Sequence, residues 1–188
     1  MIKQLFFDVE TTGLDPNRNA IIEIGGIIRT STIQVEFDFF AQPFPTDVVE
    51  DAALKVNGFT REEIAELSPP KETHAELVQL FSEHIDKYSK RDKFFAYGWN
   101  VDFDDRFLRA FFRKCEDKYY GSFILWPPVN VAALATEMLG EERFNIADFH
   151  LHTAAEYLGI KVDYEKRHTA KYDAELTMKV YDHIQGLM

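Results

Sequence analysis

Apolar and polar positions alternate at the start of the chain. Residues 2–9, IKQLFFDV, are rich in aromatic and β-branched side chains and predict a strand. TTGLDPN (11–17) follows with turn chemistry, punctuated by Gly13 and Pro16. AIIEIGGIIRT (20–30) and TIQVEFDFFAQP (32–43) predict two more strands, close enough to form an antiparallel meander that ends at Pro43 and Pro45. The period then changes to that of a helix. TREEIAELS (60–68) predicts a short helix, and THAELVQLFSEHIDKY (73–88) a longer one, with Thr73 as N-cap and Glu76 completing a capping box. KFFAYGWN (93–100) returns to a strand that breaks at Gly98. Helices are predicted over 102–120, 129–139, 150–159 (ended by Gly159) and 169–184. Strands, then helices around a returning strand, predict an α/β fold with a mixed sheet.

Some acids do not obey this pattern. Asp8 and Glu10 close the first apolar run and, two apart in a strand, share a face about 7 Å apart at Cα, opposite Leu5, Phe7 and Val9. They read either as the polar edge of a strand entering a turn or as half of a metal site. In NVDFDDRFLRAFFRKC (100–115), Asp102 shares a solvated stripe with Arg106, Arg109 and Arg113, and Asp105 forms an exposed pair with Arg109 four residues on. Asp104 instead falls on the stripe of Phe107, Leu108, Phe111 and Cys115, which faces the core. In the last helix Asp173 lies on the inward stripe of Ala170, Thr177, Val180 and Ile184, while Glu175 and Asp182 point elsewhere. The helix dipole offers Asp104 and Asp173 a plain capping role. His168, in EKRHTAKYD, stands five residues before Asp173 among the basic residues Lys166, Arg167 and Lys171, which read as a solvated cluster. Four carboxylates sharing one pocket would repel and drive their pKa values apart unless cations compensate, and oxygen ligands favour Mg²⁺ or Mn²⁺.

Composition narrows the field. With 188 residues, no repeat and no Gly/Ser-rich linker, one domain over residues 1–188 is expected. A net charge of −11 argues against a protein that coats nucleic acid by electrostatics alone, yet leaves room for an enzyme whose metal ions neutralise phosphate locally. The single cysteine, Cys115, excludes an internal disulfide and fits a reducing compartment. With no apolar run long enough to cross a bilayer and no signal-peptide pattern, the cytoplasm is the expected location and no membrane partner is expected.

FFDVETTGLDP, YGWNVDFDDRFL and HTAKYDAELT together resemble the three motifs of the DnaQ-like, DEDD-type 3′→5′ exonuclease family, in family order and over nearly the whole chain. Asp8, Glu10, Thr11, Thr12 and Gly13 match the first motif, and Asn100, Phe103 and Asp104 the second. His168 and Asp173 match the third in its histidine (DEDDh) form; the tyrosine form needs Tyr at 169, where Thr stands. One departure is WPPVNVAALATEML, where many relatives carry Asp-Thr; it lies outside the metal motifs.

The resemblance implies a ribonuclease H-like mixed sheet, with three antiparallel strands first and parallel additions after, flanked by helices. It implies two divalent ions, Mg²⁺ or Mn²⁺, held by Asp8, Glu10, Asp104 and Asp173, with Asp8 bridging and Asp104 acting through bound water. His168 is the implied general base, and nucleoside 5′-monophosphates the products. Backbone groups at Thr11, Thr12 and Gly13 are implied to contact the terminal sugar, Leu14 to wedge the last base, and Asn100 and Phe103 to line the groove; core packing is the plain alternative for Leu14 and Phe103. The implied partner is a single-stranded DNA or RNA 3′ end, DNA favoured. RNA trimming, a catalytically silent module that binds a polymerase or a strand end, and a homodimer stay open. The short stretch after the third motif leads us to expect a stand-alone exonuclease without the long polymerase-binding tail of separate proofreading subunits. His150 and His152 form an HxH, but their helix and the lack of further ligands nearby point to packing or exposure rather than zinc.

Overall fold

The computed structural model describes residues 2–187. Its strands are β1 (Lys3–Thr11), β2 (Ile21–Arg29), β3 (Gln34–Phe40), β4 (Phe94–Gly98) and β5 (Ile124–Asn130). They form one sheet in the order β3-β2-β1-β4-β5. The first three pair antiparallel, and β4 and β5 add in parallel. The helices are α1 (Asp51–Asn57), α2 (Arg61–Ala65), α3 (Pro70–His84), α4 (Val101–Lys114), α5 (Tyr120–Phe123), α6 (Val131–Leu139), α7 (Leu151–Tyr157) and α8 (Ala170–Ile184), with a 3₁₀ turn at Gly140–Asn145. This is the mixed α/β sheet that the pattern predicted.

The alternation along β1 feeds two cores. Leu5, Phe7 and Val9 pack with Leu77 and Phe81 of α3 and Phe107, Leu108 and Phe111 of α4. Phe6, on the other face, packs with residues of α6, α7 and α8, among them Val131, Leu151, Leu176 and Val180. Phe6 and Phe7 are both fully buried, so truncating either to alanine costs about 3–5 kcal/mol. A register slip of one residue would drive Asp8 and Glu10 into the first core, which fixes the strand's register firmly.

Several boundaries differ from the expectations. The helix expected at 73–88 begins at Pro70, with proline in the first turn where its missing N–H is harmless. Thr73 is therefore inside the helix, buried, its hydroxyl donating to the Phe40 carbonyl at 2.7 Å rather than capping. The capping box belongs to α2, where Thr60 and Glu63 satisfy each other's backbone N–H groups. The helix expected over 102–120 stops at Lys114, and Glu116 turns the chain at φ 65°. α1 was not anticipated. Nor was β5, whose ILWPPVN carries two prolines; it lies at the sheet's edge, where missing N–H donors are tolerated.

Candidate active site

The parallel pairing of β1 with β4 runs only from Lys3–Phe94 to Phe6–Tyr97. Beyond it the strands part at their carboxyl ends, the place where open α/β sheets offer a crevice. Here the Val9 N–H, which has no β4 partner, is taken by the Asp104 carboxylate at 3.2 Å. That bond carries the first turn of α4 to β1 and leaves Asp104 5% exposed. Asp8 and Glu10 project from the Phe6 face of β1, half-buried, opposite Gly25 and Glu23 of β2.

Asp173 comes from α8, and two features of β2 bring it in. A Cβ on Gly25 would stand 2.0 Å from the Lys171 nitrogen and 2.5 Å from the Ala170 carbonyl carbon, so only glycine lets the start of α8 lie on the sheet. Glu23, 2% exposed, accepts the Ala170 N–H at 2.7 Å, satisfying a first-turn donor and gaining from the helix dipole. His168 precedes this turn at φ 64°. Glu10, His168 and Asp173 each bring a ligand atom to a cluster in which all lie within 4.8 Å of one another. Together with Asp8 and Asp104 they line a cavity of about 420 Å³, whose walls include Trp99, Asn100, Phe103, Tyr164 and Arg167.

The electrostatics follow from this crowding. Burial, then Asp104, Glu10 and Asp173, push the Asp8 carboxyl well above the usual range. Burial, then Glu23 and Asp173, push Glu10 up to about 9. Burial raises Asp104 to about 7 against the opposing bond from Val9, and raises Glu23 to about 7 with Asp38 beside it. His168 moves the other way: burial and the neighbouring Arg167 hold it below its ordinary 6.5, outweighing Asp173. The Arg167 Nε donates to His168 Nε2 at 2.9 Å, so this nitrogen carries a lone pair and the ring is neutral. A larger cleft of about 1070 Å³ adjoins at His168, but Glu23, Glu36, Asp38, Glu62 and Glu66 make it hostile to phosphates.

The turn after Glu10 is held largely by its own hydrogen bonds. Thr12 is fully buried; its N–H donates to Ala20, its carbonyl accepts from Glu50, and its hydroxyl donates to Val48 and accepts from Ala20. No group of Thr12 is left for a sugar. Thr11 closes the turn onto the Gly13 carbonyl at 2.8 Å, and its own carbonyl accepts from Asn57. Asn19 fills the space a side chain at Gly13 would need, 2.4 Å from the would-be Cβ. These three residues build the turn, and Leu14 is its exposed tip at 81%. Asn100 is exposed and Phe103 half-buried, both on the cavity wall.

The RNase T exonuclease family model matches residues 5–181. The chain belongs to the exonuclease family. It is a DnaQ-like, DEDD-type member with the ribonuclease H-like fold. Among its relatives, the PolC-type DNA polymerase III of Thermotoga maritima is 25% identical over 174 residues, covering 93% of this chain and 11% of the polymerase. Ribonuclease T of Hahella chejuensis is 25% identical over 187 residues, covering 93% of this chain and 79% of that protein. The fold is also that of E. coli exonuclease I in its zinc-bound complex with single-stranded DNA: TM-score 0.77, 20% identity, 99% of this chain and 41% of that one. The chain thus spans about a tenth of the PolC-type polymerases and under half of exonuclease I.

Several residues in and around the site have surroundings that the sequence reading did not give them. His152, read as a packing or exposed histidine, is 8% exposed and sits 2.9 Å from Asp173 through Nε2. His150 stays outside on the cavity rim. Glu23 had a visible signal, a lone acid within the apolar run AIIEIGGII. Asp105 also departs from its expected exposure: it is 6% exposed, accepts from the Tyr120 hydroxyl at 2.6 Å, and takes Arg109 as a second partner at 3.2 Å. Arg167, exposed as the reading of a solvated cluster expected, also borders the cavity against His168.

Proposed function

We propose that the chain acts as one 3′→5′ exonuclease domain, hydrolysing the terminal phosphodiester of single-stranded nucleic acid, DNA favoured, and releasing nucleoside 5′-monophosphates. The observation that carries this reading is the convergence of Glu10, His168 and Asp173 within 4.8 Å, beside Asp8 and Asp104. The donor set suits hard divalent ions such as Mg²⁺ or Mn²⁺. The charges bearing on Asp8 and Glu10 are other carboxylates, which is the environment a cation relieves. Two such ions, when bound, neutralise these acids and polarise the scissile phosphate.

The chain's own residues supply the rest. Asp8, Glu10, Asp104 and Asp173 form the ligand set. Asp104 is held rigid by Val9, and Asp173 by the docking of α8 on Gly25 and Glu23. His168, neutral near pH 7 because its pKa is lowered, takes the proton of the attacking water as that oxygen joins phosphorus and the bond to the 3′ oxygen opens. Its Nε2 becomes available once the Arg167 guanidinium turns to a phosphate. Leu14 at the turn tip and Phe103 on the wall offer bases contacts that are tolerant of sequence.

RNA trimming is the second reading, favoured by the ribonuclease T relatives aligned over 79% of their own length. One assay separates the cases: matched 5′-labelled single-stranded DNA, duplex DNA and RNA, each with Mg²⁺, Mn²⁺ or chelator. Stepwise shortening from the 3′ end that stops in chelator and in Asp173→Ala supports the proposal. Binding without shortening, unchanged in Asp173→Ala, refutes it in favour of a silent binding module.

A further inference from the structure

We propose that His152 is the positioning residue of Asp173, fixing which carboxylate oxygen faces the metal cluster. This rests on the metal-dependent reading above. His152 stands on α7, a helix that contributes none of the family's motif residues, yet its Nε2 lies 2.9 Å from Asp173 Oδ1 in a buried contact. A carboxylate can only accept, so Nε2 carries the hydrogen and His152 donates. Among the described residues no other side-chain donor to Asp173 is seen. The imidazole is itself confined. It lies parallel to the Tyr172 ring with centroids 6.4 Å apart, and edge-on to His168 at 6.0 Å. Leu151, Ala154 and Ala155 bury the rest of α7 beside it.

The geometry gives this contact a function beyond packing. Asp173 shares its surroundings with Asp8, Glu10 and Asp104, and these acids repel one another. A carboxylate in such a group, free to rotate about its Cβ–Cγ bond, turns away from its neighbours, and ligand geometry is lost. One N–H on Oδ1 opposes that rotation and leaves Oδ2 free for a metal ion. Partners that orient metal ligands in this way typically contribute 10–100-fold in metal affinity.

The test compares Mn²⁺ binding, by calorimetry or by the electron paramagnetic resonance signal of the free ion, in wild type, His152→Leu, His152→Gln and Asp173→Asn. Circular dichroism establishes that each is folded, and His152→Phe replaces the leucine variant should that one not fold. Leucine keeps approximate volume and removes the donor; glutamine places an amide N–H near the position of Nε2. The expected result is Mn²⁺ binding weakened about 10-fold or more in His152→Leu and largely restored in His152→Gln. Wild-type affinity in His152→Leu, or equal loss in both variants, overturns the role and leaves His152 as packing. If Asp173→Asn itself binds Mn²⁺ at wild-type strength, the metal-site reading fails and this inference with it; if only Asp173→Asn weakens binding, the inference alone fails.

Discussion

Glu10 gives the sharpest test of how the acid cluster is held, because its consequence appears in stability before any catalysis is measured. Its carboxyl is pushed from 4.5 to about 9, first by burial and then by Glu23, Asp173 and Asp104. Over the pH range between those values the folded chain keeps a proton that the unfolded chain has released. Unfolding therefore expels a proton, and stability falls as pH rises. Histidines act in the opposite direction: His74 and His168 have lowered pKa values, so they add stability as pH rises towards 6.5. From pH 7 to 8.5 that opposing contribution is spent, and the carboxyls dominate. One retained proton is equivalent to about 1.4 kcal/mol per pH unit, or roughly 2 kcal/mol across this window. For a chain of this size that corresponds to a fall in Tm of roughly 4–8 °C.

The assay is thermal unfolding in chelator at pH 7, 7.5, 8 and 8.5, for wild type and Glu10→Gln. Wild type is expected to lose stability across the series. Glu10→Gln, which cannot ionise, is expected to melt higher at pH 8.5 and to show a shallower slope. Adding Mn²⁺ at about 100 times its dissociation constant should return about 2.7 kcal/mol to wild type and much less to the variant. A wild-type Tm that is flat or rises from pH 7 to 8.5 in chelator would refute the reasoning, as would a Glu10→Gln slope as steep as wild type.

Other outcomes follow from the same geometry. His168→Ala should lower kcat by about 10²–10⁴-fold in single-turnover assays while Mn²⁺ binding survives, and near-normal turnover would remove it as the base. Arg167→Ala takes away a charge that holds the His168 pKa down, so the acid limb of the activity profile should move to higher pH; an unmoved limb would mean that this pair does not set it. Gly25→Ala places a Cβ 2.0 Å from backbone that cannot yield locally, so α8 must shift; the expected cost is about 1–3 kcal/mol with a larger loss of activity than the melting curve alone implies. Leu14→Ala, at an exposed position, should leave the unfolding free energy within about 0.5 kcal/mol of wild type and raise KM for oligonucleotides.

The residues that were legible in the sequence share one signature: a polar group at an apolar position of a periodic element. Asp104 and Asp173 stood out on helical stripes, and both are buried at the cleft. Asp8 and Glu10 fell on one face of a strand, and that face opens on the same cleft. The signature was equally present at His152, which shares the inward side of α7 with Leu151 and Ala155, and at Glu23 within an apolar strand. What hid them was the partner. His152 needs Asp173 from 21 residues away, and Glu23 needs the Ala170 N–H from 147 away, pairings that no local period encodes. Asp105 was misread for the same reason: Arg109 lay nearby in sequence, while the stronger constraint, the Tyr120 hydroxyl, comes from a separate turn after the helix has ended.

The two missed side chains also explain how a helix ligand is placed to the accuracy a metal site needs. Three independent contacts converge on the first turn of α8: the bare backbone of Gly25 beneath it, the Glu23 carboxylate on Ala170, and the His152 N–H on Asp173. The first two fix where the helix starts, and the third fixes how one of its side chains is turned. A defect in either of the first should therefore move Asp173 and His168 together. A defect in the third should turn the Asp173 carboxylate while the start of the helix stays where it is. Comparing the Tm lost for a given loss of Mn²⁺ affinity in Gly25→Ala and in His152→Leu separates the two, the glycine variant being expected to lose more. If both variants lose Tm and affinity in the same proportion, helix position and carboxylate orientation are not distinct contributions, and the division of labour argued from these contacts is wrong.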